Sequence, residues 1–236
     1  MERRLIVNAD DFGLSEGVNR GILRAHSDGI LTSASVLVQS PAARDAVRSA
    51  GDLDLGLHLD FGEWAFRDGA WIALYERASL AHPDQVSAEA RTQLKMFLEM
   101  TGKTPTHLDS HQHVHMQEPA LSAAKQMAEQ LSVPLRGCSP RVHYCGDFYG
   151  QSGRGVPHPE GVSVNSLITI LAKLRPGVTE LACHPGEEAG LASTYAWERS
   201  LEVKTLCDPR IRETIVEQHI QLSRFADLLY SGGVQC

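Results

Sequence analysis

Residues 5–11 read LIVNADD and carry the feature that decides the fold, an apolar run that ends in two adjacent carboxylates. A run of Leu, Ile and Val before polar residues is typical of a buried β-strand. Apolar runs that end in Asp or His recur further along the chain, in DLGLHLD (residues 54–60), THLDSHQHVH (residues 106–115) and ELACHPG (residues 180–186). The sequence therefore predicts four strands that carry chemically active side chains at their ends.

Short apolar runs alternate with amphipathic stretches along the whole chain, which predicts repeated βα units around a largely parallel sheet. We expect one domain, residues 1–236, with a barrel-like (β/α) fold. The predicted strands are residues 5–7, 31–38, 53–59, 107–110, 133–136 and 179–183. Helices are predicted to begin near Ser15 and after Pro41. Three more are predicted from Ser87 to Gly102, at residues 119–131 and at residues 164–174, and residues 197–229 have mainly helical sequence. Residues 64–83 and 139–161 are expected to be long loops, the first lying over a binding face.

The overall charge and hydropathy exclude several classes of protein. The formal net charge is −7 and the basic residues are scattered, which argues against a nucleic-acid partner. The longest apolar runs fall short of the roughly 20 residues of a membrane span, and the start MERRL does not resemble a signal peptide. We therefore expect a cytoplasmic protein with a small-molecule substrate and no transmembrane segment, as a monomer or a homodimer.

The four strand ends predict a metal site. Parallel strands place their carboxyl ends on one face, so Asp and His side chains that are distant in the chain meet there. A dense group of carboxylates and imidazoles is costly to pack without a cation. One Asp or His at a strand end is often only a helix cap, but four such ends favour a functional site.

The spacing of these residues leaves several roles open. Asp10 and Asp11 are adjacent and point in different directions in an extended chain, which favours one metal ligand and one base. His111, His113 and His115 would share one face of a strand, whereas only the first and last would share a face of a helix. One ion cannot use all three imidazoles, so one or two are expected to contact the substrate or support a ligand.

Four segments together resemble a known family: LIVNADDFGLSEGVNRGI (residues 5–22), GLHLD (residues 56–60), THLDSHQHVHM (residues 106–116) and LACHPG (residues 181–186). In content and order they are similar to the YdjC/ChbG-like carbohydrate deacetylases, which include hopanoid-associated members. The similarity extends from Leu5 to about residue 229. It implies a fold related to the polysaccharide deacetylase barrel. It also implies a metal-dependent hydrolase that removes an acetyl group from an N-acetylated sugar, either a chito-oligosaccharide or an N-acetylglucosamine-containing glycolipid precursor.

The resemblance also implies a role for each matching residue. Asp11, His58 and His111 would bind one divalent ion, and Asp10 would be the general base. His184 would be the general acid that protonates the leaving amine, and its ordinary pKa near 6.5 suits that task. One carboxylate and two imidazoles suit zinc but also accept magnesium, manganese or cobalt, so the ion is expected to be Mg or Zn without a choice between them.

Two other functions compete with this one. A metal-dependent hydrolase of a phosphoester or a cyclic amide could use the same kind of site, with a second ion held by further residues, namely His113, His115, Asp60 and Asp109. A non-catalytic sugar- or metal-binding module would need the ligands but would have no use for Asp10. Loop aromatic residues could stack on sugar rings, although such residues more often hold their loop in place: Trp64, Phe66, Trp71 and Tyr149.

Overall fold

The structure is a computed structural model that describes residues 2–187 and 194–230. These residues form nine β-strands: β1 (Arg3–Phe12), β2 (Ser33–Val36), β3 (Asp54–Leu59), β4 (Gly62–Arg67), β5 (Ala70–Glu76), β6 (Leu108–Ser110), β7 (His143–Cys145), β8 (Gly177–Cys183) and β9 (Ile220–Leu222). They also form eight α-helices: α1 (Glu16–Ser27), α2 (Ala43–Ser49), α3 (Pro83–Thr101), α4 (Ala120–Leu131), α5 (Val164–Ala172), α6 (Glu198–Leu206), α7 (Pro209–Glu217) and α8 (Ala226–Tyr230).

The main sheet is parallel and is built around β1. Its strand order is β6-β3-β2-β1-β8-β7, and β9 also pairs with β1. β8 lies beside β1 from Arg3 to Ala9, so the opposite edge of β1 is shared between β9 near its start and β2 near its end. The predicted parallel α/β sheet is confirmed, and β6, β3, β1 and β8 all deliver their carboxyl ends to one face.

The helix ends follow local chemistry. The first helix begins near Ser15, as the sequence predicts, and the hydroxyl of Ser15 caps α1 by accepting a hydrogen bond from the backbone N–H of Val18. Gly102 ends α3 in the left-handed conformation, again as predicted. The start of α3 was predicted wrongly at Ser87, because Pro83 occupies the first turn and buried Val86 extends the apolar face one turn earlier.

A β-hairpin replaces the first predicted loop. β4 and β5 pair antiparallel and are joined by Asp68 and Gly69, which both have positive φ. Every residue of β5 is exposed, so the segment lacks the alternation of apolar and polar residues that identifies a half-buried strand. The Asp-Gly pair was the usable signal, since that dipeptide is strongly preferred in two-residue hairpin turns.

Smaller differences occur near other strand ends. The predicted strand at residues 133–136 is reduced to a single bridge between Leu108 and Leu135, since Pro134 has no N–H to donate. The second predicted loop contains β7 and a short 3₁₀ segment, Pro159–Val162. The mainly helical stretch near the carboxyl end contains β9 between α7 and α8. Across the part of the chain that is described, the helices lack the length and apolar character that a membrane span requires.

Candidate active site

The predicted strand ends meet in one cavity. β1 contributes Asp10 and Asp11, β3 contributes His58, and His184 follows β8. His111 begins the 3₁₀ segment that follows β6. These five side chains line a cavity of about 860 Å³ together with residues of the β4–β5 hairpin and of the segment 146–155. The structure therefore brings together the five residues for which the family resemblance implied a metal-binding or catalytic role.

Asp11, His58 and His111 form a compact group of donor atoms. Oδ1 of Asp11 lies 3.4 Å from Nε2 of His58 and 3.0 Å from Nδ1 of His111. Ligand atoms around a tetrahedral ion with bonds of 2.0–2.1 Å lie roughly 3.3 Å apart. The three side chains are also close enough to one another to share one ion. The donor set and its spacing thus fit a small divalent cation.

The electrostatics of this group also favour a cation. Burial alone would lower the pKa of His111, but the charge and hydrogen bond of Asp11, with a further contribution from Glu63, together outweigh it and raise that pKa to about 9. For His58, Asp109 together with Asp11 and Asp10 likewise overcomes burial and raises the pKa well above its ordinary value. In the metal-free protein the carboxylates therefore draw protons onto both imidazoles, and an ion would take the place of those protons.

Outer contacts hold the ligand side chains in place. Oδ1 of Asp109 lies 2.8 Å from Nδ1 of His58, and this fixes the ring so that Nε2 faces Asp11. The guanidinium of Arg199, on α6, donates to Oδ2 of Asp11 at 2.6 Å. Asp11 has a left-handed φ of 65°, at an irregularity in the pairing of β1 with β2, and this turns it away from Asp10.

Asp10 is held by a buried arginine. Nη1 and Nη2 of Arg136 donate to its two oxygens, each at 2.6 Å, and the side-chain amide of Asn8 donates to Oδ1 at 3.1 Å. Burial alone would raise the pKa of Asp10, but Arg136 keeps it below its ordinary value. A carboxylate offers about four lone-pair sites, so one remains for a group in the cavity.

Arg136 is shared among three carboxylates. Besides Asp10 it contacts Asp109 at 2.7 Å and Glu180 at 2.7 Å, and these side chains are almost fully buried. Burial raises the pKa of Glu180 to about 7 against the opposing effect of Arg136. A second group of side chains with ion-binding spacing, Asp10, His58 and Asp109, therefore already has a positive charge beside it.

His184 faces Asp10 across the cavity. Its Nε2 lies 3.6 Å from Oδ2 of Asp10, and its ring contacts Tyr149 edge-on with centroids 5.4 Å apart. Its backbone N–H donates to Glu202 of α6, and its Nδ1 has no hydrogen-bond partner among the described residues. Burial lowers the pKa of His184 to about 4, so the ring is neutral near pH 7 in the free protein.

The three spaced histidines follow neither of the two regular patterns considered. Gln112 and His113 adopt left-handed φ values of 50° and 55° inside the 3₁₀ segment, so the rings point in different directions. His113 lies on the cavity wall, where its Nε2 is 3.0 Å from the Tyr144 hydroxyl. His115 is fully buried, with Ser110 and the backbone oxygen of Arg136 on its two nitrogens. His115 therefore supports the fold of this segment.

A family comparison agrees with the motifs that line the cavity. Residues 4–217 match the model of the YdjC-like protein family. The chain belongs to the YdjC-like family. A carbohydrate deacetylase from Geobacillus stearothermophilus is 33% identical to this YdjC-like chain over 251 aligned positions, which cover 96% of this chain and 98% of that protein.

Solved structures share the fold of this YdjC-like protein. A protein from Enterococcus faecalis V583, described as a cellobiose-phosphate cleavage protein, superposes with a TM-score of 0.78 at 25% identity and covers 97% of this chain and 99% of its own. A family 4 carbohydrate esterase from Streptomyces lividans, solved with acetate, superposes with a TM-score of 0.59 at 12% identity and covers 94% and 92%. The comparisons confirm the predicted family, the barrel-like fold and the prediction of a hydrolytic carbohydrate deacetylase.

Two arginines of the site were missed by the sequence reasoning. Arg136 ends the apolar run at residues 133–136, and a cation at the same edge as several carboxylates was the available signal. Arg199 is only 2% exposed and lies on a helix far along the chain from Asp11, with no local pattern to mark it. Asp60, a candidate ligand for a second ion, accepts hydrogen bonds from Tyr75 and Arg77 and so holds the hairpin.

Aromatic residues of the hairpin remain accessible in the cavity wall. Trp71 is 57% exposed, and its ring contacts Phe66 edge-on with centroids 5.5 Å apart. The guanidinium of Arg154, which belongs to the cavity-lining segment 146–155, lies 5.4 Å from the centroid of the Phe66 ring. Trp64 is held through its backbone, which exchanges two hydrogen bonds of 2.8 Å with the Gln112 side chain.

Proposed function

We propose that this YdjC-like protein is a carbohydrate N-deacetylase that uses one divalent ion held by Asp11, His58 and His111, with Asp10 as base and His184 as acid. The observation that carries the proposal is the placement of two imidazole nitrogens 3.0–3.4 Å from one oxygen of Asp11, beside Asp10 and His184 in the same cavity. The carbohydrate deacetylase among its relatives supports the substrate class.

An amide resists hydrolysis because its carbonyl is resonance-stabilised and water is a weak nucleophile. A divalent ion at this site supplies polarisation of the acetyl carbonyl and a more acidic water. The protein supplies the groups that move protons. Because Arg136 keeps Asp10 ionised, that carboxylate is ready to accept the proton of the attacking water.

The leaving amine requires a proton, and His184 can deliver it. His184 is neutral in the free protein, so its acidic proton comes from the reaction itself. Asp10 receives the proton of the water and lies 3.6 Å from Nε2 of His184. Transfer across that gap and then to the sugar nitrogen returns both side chains to their starting states and releases the free amine and acetic acid, which ionises to acetate in solution.

The competing phosphoester chemistry is disfavoured by the charge distribution. It would use a second ion close to the first, and the second group with suitable spacing is Asp10, His58 and Asp109. Arg136 already contacts both carboxylates of that group, so a further cation there would meet a fixed positive charge. A non-catalytic binding module would leave the arrangement of Asp10, Arg136 and His184 without a purpose.

The proposal is tested by incubating zinc- or magnesium-loaded protein with a panel of N-acetylated sugars and following the mass of each. We expect chito-oligosaccharides or N-acetylglucosamine-containing glycolipid precursors to lose one acetyl unit. Activity on phosphoesters and none on any N-acetylated sugar would reject it. The same panel run with each metal identifies the working ion. The cytoplasmic location and the choice between monomer and homodimer stay predictions from the sequence.

A further inference from the structure

The two imidazoles of the proposed metal site differ in what their outer nitrogens contact. Nδ1 of His58, the nitrogen that points away from Asp11, lies 2.8 Å from Oδ1 of Asp109, and this contact holds the ring. Nε2 of His111 is buried and has no hydrogen-bond partner within the described residues. Metal-binding imidazoles almost always donate their other N–H to a carboxylate, a carbonyl or water. If His111 binds the ion, a hydrogen-bond acceptor for its Nε2 is therefore expected nearby.

Glu63 on β4 faces this nitrogen. Its Oε2 lies 3.8 Å from Nε2 of His111, and the residue is 9% exposed. A movement of roughly 1 Å would bring the two atoms to hydrogen-bond distance. The hairpin is already tied to the segment that carries His111, since the side chain of Gln112 makes two hydrogen bonds to the backbone of Trp64. Glu63 precedes Trp64 and His111 precedes Gln112, so these hydrogen bonds also keep Glu63 close to His111.

We propose that Glu63 is a positioning residue: its carboxylate accepts a hydrogen bond from Nε2 of His111 and turns Nδ1 of that ring toward the ion. This inference rests on the proposed function, because it takes Asp11, His58 and His111 as the ligands. Each imidazole of the site then has one carboxylate behind it, Asp109 for His58 and Glu63 for His111. The second carboxylate belongs to the hairpin that forms the cavity wall, so the position of that wall and the affinity for the ion are coupled.

The inference is tested by measuring zinc affinity against a competing chelator for the parent protein and for Glu63→Ala, Glu63→Gln, His111→Ala and the Glu63→Ala/His111→Ala double variant. Loss of an outer partner typically costs about 10- to 100-fold in metal affinity, and we expect that loss for Glu63→Ala. Glu63→Gln keeps an acceptor oxygen without the charge, so it should recover part of the affinity. The double variant should bind zinc as weakly as His111→Ala alone, because Glu63 acts through His111.

Glu76→Ala is the matched control, since it removes a carboxylate from the same hairpin at the position that pairs with Gly62. We expect its zinc affinity to stay within about 3-fold of the parent, because Glu76 is an exposed residue of the cavity wall that forms no hydrogen bond or ion pair with a proposed ligand among the described residues. Absorption spectra of cobalt-loaded samples should shift in Glu63→Ala and not in Glu76→Ala. Thermal unfolding of the metal-free variants identifies any that fail to fold, and Glu63→Gln then carries the comparison.

Three outcomes would overturn the inference. Parental affinity in Glu63→Ala and Glu63→Gln, with a loss in His111→Ala, would remove Glu63 and leave the proposed ligands intact. Additive losses in the double variant would mean that Glu63 binds the ion directly or acts independently of His111. Parental affinity in His111→Ala would reject both this inference and the ligand assignment.

Discussion

Replacing Arg136 by Met removes a guanidinium that contacts three buried carboxylates. Asp10, Asp109 and Glu180 each lie within 2.7 Å of its guanidinium, and each is almost completely buried. Methionine has a similar length and fills most of the same space, so the change isolates the loss of charge and hydrogen bonds. We expect a large loss of stability together with the loss of activity.

The size of the effect follows from the burial of these groups. Breaking a buried ion pair by removing one partner costs about 3–5 kcal/mol, because the remaining charge is uncompensated. Glu180 already has a pKa of about 7, so it takes up a proton readily and relieves part of the cost. Asp10 and Asp109 have lowered pKa values in the parent, but Asp109 keeps its contact with His58, so Asp10 carries most of the penalty. A loss of about 3–5 kcal/mol is a large share of the free energy of unfolding, which is usually about 5–15 kcal/mol.

The loss should depend on pH in a definite direction. In the parent, the lowered pKa values of Asp10 and Asp109 contribute stability above their ordinary pKa near 3.8, and this is lost as pH falls below it. In Arg136→Met, burial without the guanidinium should raise the pKa of Asp10, so the folded protein should hold a proton that the unfolded chain releases and its free energy of unfolding should fall as pH rises. The difference between parent and variant should therefore grow from pH 4.5 to pH 7.5.

Urea unfolding of metal-free protein, followed by circular dichroism at several pH values, measures this difference. Arg136→Lys keeps the charge without the two-point contact to Asp10 and should lose less. Arg20→Met is the surface control, because Arg20 is 58% exposed and its ion pairs are 3.9 Å long. It should change stability by about 0.5 kcal/mol or less. A loss below about 1 kcal/mol in Arg136→Met, or a loss independent of pH, would refute the reasoning.

Three further predictions concern the reaction and the ion. Asp10→Asn should keep the fold and the metal but lose about 10²–10⁴-fold in deacetylation measured by acetate release, and near-parental turnover would contradict its role as base. His184→Ala should lose far more activity on an N-acetyl sugar than on an activated aryl acetate, whose leaving group needs no proton; equal losses would leave His184 as an orienting residue. Zinc affinity should rise between pH 6.5 and 9, because the raised pKa of His111 means that binding displaces a proton. Calorimetry in buffers of different ionisation enthalpy measures that proton, and a flat profile would count against His111 as a ligand.

The strand ends could be predicted because they depend on local sequence. The apolar runs before Asp10, His58 and His184 identify buried strands, and parallel packing brings their ends together. The contacts that set the charge of the site could not be predicted in this way. Arg199 reaches Asp11 from α6, and nothing in the local sequence of either residue indicates the other.

An error in the predicted fold, and a segment whose conformation the sequence left open, both have physical causes. Both faces of β5 are exposed, so buried and exposed residues do not alternate along it as they do in a half-buried strand. The strand forms because of the Asp68-Gly69 turn and its pairing with β4. The histidine segment depends on the left-handed backbone of Gln112 and His113, which are not glycines. Residue spacing alone is informative about regular strands and helices, and it fails where the backbone takes such values.

The contact between Arg199 and Asp11 has a consequence for biosynthesis. Asp11, His58 and His111 are all translated within the first half of the chain, whereas Arg199 follows in the last fifth. At 5–20 residues per second, Arg199 is added roughly 4–18 s after His111. During that interval the nascent chain holds the complete set of proposed ligands before Asp11 has its guanidinium partner. A chain truncated before α6 would have the same composition of ligands but would lack the residue that fixes the orientation of Asp11.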